Sequence, residues 1–324
     1  MVLPDPGTAL DLSQRETTSS RSKLRVAEKL TVLFFTLELA ASLTLPLARA
    51  GRLKVWGLSL SGAGVLLLLS HQGREQRGGF LATFRDWYPC ALIPIAYRAS
   101  GVFSVPDPLH RLDQFFVGWD NALLQNSWVS IALYRLSPWL GTYSEFSYLL
   151  TYPLVPLGLL SLTLARRRRV LAHADPITTP DDPIDRFWTT VLLAVLICYL
   201  VYPLFPLTPP RLLFPSAGGL EPNSALRKLN LWLLHQNGDQ ASLFPSGHVA
   251  AVMATALAVR TQFPRAGWVF LFAAASVALA TVLGRYHYAA DAAAGVAVAV
   301  AASAVSNSIF RRKSQRVSGE WQGS

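Results

Sequence analysis

Three short stretches of this chain combine residue types suited to handling a phosphate ester. They are Phe205-Pro206-Leu207-Thr208-Pro209-Pro210-Arg211, Phe244-Pro245-Ser246-Gly247-His248 and Arg285-Tyr286-His287-Tyr288-Ala289-Ala290-Asp291. In the second, Pro245 and Ser246 are helix-start signals, and a serine there can cap the orphan amides of the first turn. The amides near Gly247 and the positive helix end make an anion site, and a glycine lets an anion approach the backbone closely. His248 then stands in the first helical turn. In the third stretch His287 and Asp291 are four apart, on one face of a helix. A carboxylate on one imidazole nitrogen fixes the tautomer and leaves the other nitrogen as a nucleophile. Arg211 adds positive charge for phosphoryl oxygens.

Each stretch has a plainer reading. A histidine at a helix end is often structural, Pro-Pro-Arg can terminate a membrane span with a snorkelling arginine, and Asp291 can simply tie helices together. Two histidines in a membrane also suit haem, but no attachment motif accompanies them. The chemical reading gains force only if the elements bring all three stretches to one place.

Those elements are apolar helices. Of the 324 residues, 52% are hydrophobic and 15% charged, and the mean hydropathy is +0.33. An ordinary soluble domain has about a quarter of its residues charged. The apolar residues fall in blocks suited to a hydrocarbon core of roughly 30 Å. The net charge of +10 could suggest nucleic acid, but the densest basic runs directly follow apolar segments, where they set membrane topology. Cys90 and Cys198 lie in apolar stretches and imply neither a disulfide framework nor a thiolate metal site. A long polar stretch precedes the first apolar run, so a cleavable signal peptide is not expected.

Residues 1–29 read as a flexible cytoplasmic tail. Apolar segments follow at 30–47 and 55–70, the second short for a span, and at 87–103, which holds two prolines and Arg98. Together 30–103 form an N-terminal transmembrane part. Residues 104–144 hold Trp119, Trp128, Trp139, Tyr134 and Tyr143 among polar residues, a composition suited to the membrane–water interface. The catalytic core, 145–310, contains spans at 145–165, 187–206, 244–262, 266–284 and 288–309. Small residues in the last allow close helix packing and place it inside the bundle. Residues 311–324 form a basic cytoplasmic tail. The clusters Arg166 to Arg169, Arg260 with Arg265, and Arg311 to Lys313 belong in the cytoplasm, which puts all three motif stretches on the outer face. Arg49, Arg52 and Lys54 are discordant. The expected fold is all-α: a polytopic transmembrane bundle of six to eight spans, eight if 87–103 crosses, with an interfacial helical segment.

FPSGH at 244–248 followed by HYAAD at 287–291 resembles the type-2 phosphatidic acid phosphatase superfamily. TPPR at 208–211 and the stretch 111–119 are most similar to its inositol phosphorylceramide synthase branch, related to the sphingomyelin synthases. The resemblance implies that His287 is the nucleophile that becomes phosphohistidine, Asp291 orients it, and His248 is the general acid. It also implies that Arg211, Ser246 and Gly247 hold phosphoryl oxygens. Two positions depart from the soluble-phosphatase pattern. Leu204 stands where a lysine is expected, and Thr281 where an arginine is expected, with Arg285 placed to compensate. Both departures fit the synthase-like branch.

The expected function is therefore transfer or hydrolysis of a lipid phosphoester at the extracytoplasmic face, in a bacterial-type inner membrane. Water or a lipid or sugar alcohol would be the acceptor. A lipid phosphate or prenyl pyrophosphate phosphatase is the alternative, and a transporter or lipid-binding scaffold the non-enzymatic one. No cofactor or metal is expected, because no acidic cluster suited to Mg²⁺ lies at the motif face. Asp107, His110, Asp113 and Asp120 read as a solvated face or lid. His71, His173 and His235 receive no role.

Overall fold

The structure, a computed structural model, describes residues 24–72, 79–104, 109–122, 137–171, 182–213, 224–237 and 244–320. Among them every regular element is a helix: α1 Val26–Thr44, α2 Arg49–Gln72, α3 Phe80–Trp87, α4 Pro89–Ser100, α5 Arg111–Asp120, α6 Ser137–Leu149, α7 Thr151–Leu171, α8 Pro183–Val201, α9 Pro210–Leu213, α10 Ala225–Asn237, α11 Gly247–Gln262, α12 Pro264–Leu283 and α13 Ala289–Glu320. Short 3₁₀ turns at Gly101–Phe103 and Tyr202–Leu204 continue α4 and α8.

The protein is an integral membrane helix bundle with α8 at its centre, packed against α1, α4, α7, α11 and α13. Phe187, Trp188, Val191, Leu192 and Val195 of α8 are buried, whereas Leu33, Leu60, Leu68, Phe272 and Leu279 point outward. Lipid reverses the usual penalty on exposed apolar side chains, and helices satisfy every backbone group internally. Helix α13, expected inside the bundle, has only 28% of its apolar window buried, so it lies at the periphery and uses its small residues for close approach on one side. A β-carbon built on Gly295 would lie 2.6 Å from the Ser246 carbonyl oxygen, so α13 reaches the start of α11 only because that position is glycine.

Several boundaries differ from the expectation. Four described helices are long and apolar enough to cross a membrane: Arg49–His71, Pro183–Leu204, Pro264–Leu283 and Ala289–Gln315. A fifth candidate is the pair Trp139–Leu149 and Thr151–Arg168, bent by 52°. A straight span at 145–165 was expected. Pro153 explains the break, since its ring and missing N–H are tolerated in the first turn of a new helix but not inside a continuous one. The segment expected to be short, 55–70, extends in both directions to 24 helical residues. The helix inside 87–103 has 12 residues with Pro94 within it, a rise of about 18 Å and too little to span alone. Helix α11 has only 16 residues, yet it is central to the core. The eight-span reading needs α1, the α3–α4 pair and α11 as well.

The first helix also begins earlier than expected. Helix α1 starts at Val26, and the amides of Val26 and Ala27 donate to Asp185 at 3.1 and 3.0 Å. Arg25 pairs with Asp86 at 2.6 Å and Asp182 at 3.4 Å, while Arg85 forks onto Glu28 at 2.6 and 2.7 Å. Glu28, Asp86 and Asp185, which look solvated in local composition, are buried against partners far along the chain. At the other terminus, the helix continues through the expected basic tail to Glu320.

Candidate active site

Helix α8 carries the chain about 28 Å from Asp182 to the opposite end of the bundle, where the three motif stretches meet. Backbone hydrogen bonds fix the meeting. Arg211 N–H donates to the Arg285 carbonyl at 3.0 Å, joining the first stretch to the third. Ser246 N–H donates to the Asp291 carbonyl at 3.1 Å, joining the second to the third. Arg285 adopts φ 59°, in the left-handed region that few L-residues enter. The turn then doubles back, so that both Tyr286 and His287 N–H donate to the Thr281 carbonyl at 2.9 Å. Thr281 thus serves through its backbone where an arginine was expected. Leu204, in the expected lysine position, is exposed.

Ser246 is the N-cap of α11, and its hydroxyl accepts from Val249 N–H at 3.3 Å. The same oxygen lies 3.2 Å from His287 Nε2. On the far side of the imidazole, Nδ1 faces Asp291 Oδ2 at 3.6 Å, and that oxygen also accepts from Tyr288 N–H at 3.2 Å. Of the two ring nitrogens Nε2 has the Ser246 hydroxyl as hydrogen-bond partner, while Nδ1 is buried, has no hydrogen-bond partner among the described residues and faces the Asp291 carboxyl. His287 and Asp291 are both buried. Burial and the Arg211 charge lower the His287 pKa from 6.5 to about 3, so its ring is neutral at physiological pH. The His248 ring lies with its centroid 5.8 Å from that of His287, edge to face. The Arg211 guanidinium carbon sits 5.9 Å from the Tyr286 ring centre.

The sequence-predicted residues Arg211, Ser246, Gly247, His248, Arg285, His287 and Asp291 therefore occur at one end of the bundle. Gly247 departs from its expected part. Its N–H is already engaged, donating to Tyr202 Oη at 3.1 Å. A β-carbon there would meet that oxygen at 2.5 Å and Tyr199 Cε1 at 2.9 Å. The space above this glycine is filled by tyrosines, because the end of α8 passes directly behind the start of α11.

The acidic stretch ahead of the core also departs from expectation. Asp107 lies outside the described residues. Asp113 is buried, 2% exposed, rather than solvated. Its Oδ1 accepts from Thr208 N–H at 2.8 Å and faces Tyr288 Oη at 3.5 Å, while Oδ2 meets His110 Nδ1 at 2.8 Å. Asp120 Oδ1 accepts from Ala289 N–H at 2.9 Å, at the start of α13. Helix α5 is thus pinned across the first and third stretches, with Phe115 and Trp119 left exposed. Sequence reasoning missed Tyr202, Tyr148, Glu145, Arg227 and Asn230 at this site. Only Glu145 carried a signal, as a carboxylate beside an apolar segment.

A bundle of lipid-facing helices that gathers two imidazoles, a carboxyl and arginines at one end defines a membrane enzyme of phosphate-ester chemistry. The family model described as the PAP2 superfamily matches residues 114–305, and the chain belongs to that superfamily, whose members are lipid phosphatases and phosphotransferases. The transporter and scaffold alternatives are thereby set aside. No curated protein and no solved structure matches the chain.

Proposed function

We propose that this enzyme moves a phosphoryl group, bare or still carrying its head group, from a lipid donor to an alcohol through a phosphohistidine at His287. His287 Nε2 attacks phosphorus while the bond to the leaving oxygen breaks, and His248 gives that oxygen its proton. Asp291 holds the Nδ1 proton as positive charge develops on the ring. The second half reverses the roles: an acceptor hydroxyl attacks phosphorus, His248 takes its proton, and the N–P bond breaks. Arg211, Arg285 and the Ser246 hydroxyl hold the non-bridging oxygens, where transition-state charge spreads. Gly247 contributes by lacking a side chain, which keeps Tyr202 against the start of α11.

The observation that carries this reading is the line Ser246 Oγ, His287 Nε2, Nδ1, Asp291 Oδ2, at 3.2 and 3.6 Å. It turns Nε2 toward Ser246 at the start of α11, whose hydroxyl must swing to the phosphoryl oxygens before attack, and Nδ1 toward the carboxyl. The acceptor in this proposal is a lipid alcohol such as ceramide or diacylglycerol, and the donor resembles that of inositol phosphorylceramide synthases. The resemblance of 208–211 and 111–119 to that branch supports it. The active face is proposed to be extracytoplasmic, in a bacterial-type inner membrane. Support comes from the basic residues at the opposite end: Arg166 approaches Asp86 at 3.7 Å beside Arg25, and Arg186 donates to Asn307 at 2.8 Å.

The test is to incubate purified protein with labelled phosphatidic acid, prenyl pyrophosphate or phosphatidylinositol, with and without ceramide or diacylglycerol. Head-group transfer that requires an acceptor and vanishes in His287→Ala supports the synthase reading. Release of phosphate to water alone supports the phosphatase alternative. Turnover that survives His287→Ala overturns both.

A further inference from the structure

Beneath the third motif stretch lies a buried charged network outside the motifs. Glu145 of α6 and Arg227 and Asn230 of α10 are 1%, 6% and 0% exposed. Arg227 donates to Glu145 Oε1 at 3.0 Å and to the Gly284 carbonyl at 2.8 Å. Asn230 Nδ2 donates to Glu145 Oε2 at 2.7 Å and to the Glu145 carbonyl at 3.0 Å. Glu145 Oε2 also accepts from Tyr286 Oη at 2.6 Å. The Arg227 guanidinium lies 4.7 Å from the Tyr286 ring centre. Tyr286 in turn stacks on Tyr148, centroids 3.7 Å apart and 11° between planes, and Tyr148 lies 6.0 Å from the His248 ring.

Gly284 and Tyr286 are the residues that lead into His287, and Tyr148 borders His248. The network therefore grips the backbone turn that carries one imidazole and the aromatic wall beside the other. A buried ion pair adds little net stability over an apolar replacement, because desolvation offsets most of the attraction. Its several directional bonds are better suited to holding one conformation. We infer that Glu145 and Arg227 are positioning residues, which set the His287 turn and, through the Tyr286–Tyr148 stack, the His248 ring for in-line transfer. The inference rests on the proposed phosphohistidine reading for its kinetic consequence. The placement of the rings can be read without it.

The test uses the full-length protein in nanodiscs, with dioctanoyl phosphatidic acid as the probe substrate. Three single variants are compared, Glu145→Gln, Arg227→Lys and Tyr286→Phe, with the double variant Glu145→Gln/Arg227→Gln, which removes both charges together. A misplacement on the order of 1 Å lowers turnover by about 100-fold. Glu145→Gln and Arg227→Lys should accordingly lower kcat by about 10- to 100-fold with KM within about twofold. Tyr286→Phe keeps the stack and should cost about 3- to 10-fold. The double variant should recover the unfolding temperature lost in Glu145→Gln without recovering kcat. ¹⁵N-histidine NMR should show His287 and His248 side-chain resonances displaced in all four variants.

Activity that recovers together with unfolding temperature would reduce the network to a structural tie and overturn the inference. Unchanged imidazole resonances, or a change in KM alone, would do the same. If the parent protein fails to turn over phosphatidic acid and the other labelled donors, the functional reading fails. The NMR comparison still decides the positioning claim.

Discussion

Replacing Gly247 by alanine tests what this glycine is for. A β-carbon would sit 2.5 Å from Tyr202 Oη and 2.9 Å from Tyr199 Cε1, both closer than side-chain carbons normally approach. The tyrosine must move, which breaks its hydrogen bond from Gly247 N–H, 3.1 Å in the parent. Overpacking of a tight core costs about 1–3 kcal/mol. Leaving the amide and the hydroxyl buried without each other costs about 1–3 kcal/mol more. Gly247→Ala should therefore destabilise by about 2–6 kcal/mol. Tyr202→Phe alone should cost about 1–3 kcal/mol, because it leaves the Gly247 amide buried without its acceptor. In the double variant the nearest clashing atom is gone, so the two effects should couple, with the pair no less stable than Gly247→Ala by itself. The assay is a double-mutant cycle of denaturant unfolding in mixed micelles, read by tryptophan fluorescence. Strict additivity would refute the reasoning and return Gly247 to the part of an open anion contact.

Further outcomes follow from the geometry around the same loops. Asp113→Ala should free the Thr208 amide to exchange with solvent and cost about 1.5–3 kcal/mol, whereas Asp113→Asn, which keeps an acceptor, should cost less; equal amide protection at Thr208 in all three proteins would contradict the pinning of α5. His287 has its pKa lowered from 6.5 to about 3 by burial and the Arg211 charge, so between these values the unfolded chain binds a proton the folded one does not. Its contribution to stability is complete above pH 6.5 and is lost progressively as pH falls toward 3. Unfolding midpoints measured from pH 7.5 to 5 should fall more steeply for the parent than for His287→Gln; parallel curves would refute this. Asp120→Asn preserves the acceptor at the α13 start and should be near neutral, while Asp120→Ala should cost about 0.5–2 kcal/mol as a lost cap, measured by the same unfolding assay.

Much of the site could be read locally. The four-residue spacing of His287 and Asp291 put both on one face of the chain, and Ser246 caps the helix that a Pro-Ser-Gly start predicts. The convergence of the three stretches followed from counting apolar segments between basic clusters. What escaped the sequence was long-range partnership. Asp113 is as acidic as a solvated lid residue should be, and only the distant Thr208 amide reveals its burial. Glu145 and Arg227 are 82 residues apart, and nothing local pairs the one with the other. Gly247 seemed placed for a ligand because nothing local marks Tyr202 as its neighbour. Hydropathy blocks likewise missed the break at Leu150, since apolar averages run smoothly over a bend of 52°. The bundle class was legible because lipid leaves few alternatives to helices.

The central claim is a covalent phosphate on His287, formed because Nε2 is the nitrogen left for attack while Nδ1 faces Asp291. The direct measurement is rapid denaturing quench of the protein turning over ³²P-labelled phosphatidic acid or phosphatidylinositol, followed by peptide mapping of the retained label. The label should be acid-labile, should map to the peptide containing His287 and should be absent from His287→Ala. Label on any other residue, or turnover at parent rate by His287→Ala, would contradict the account.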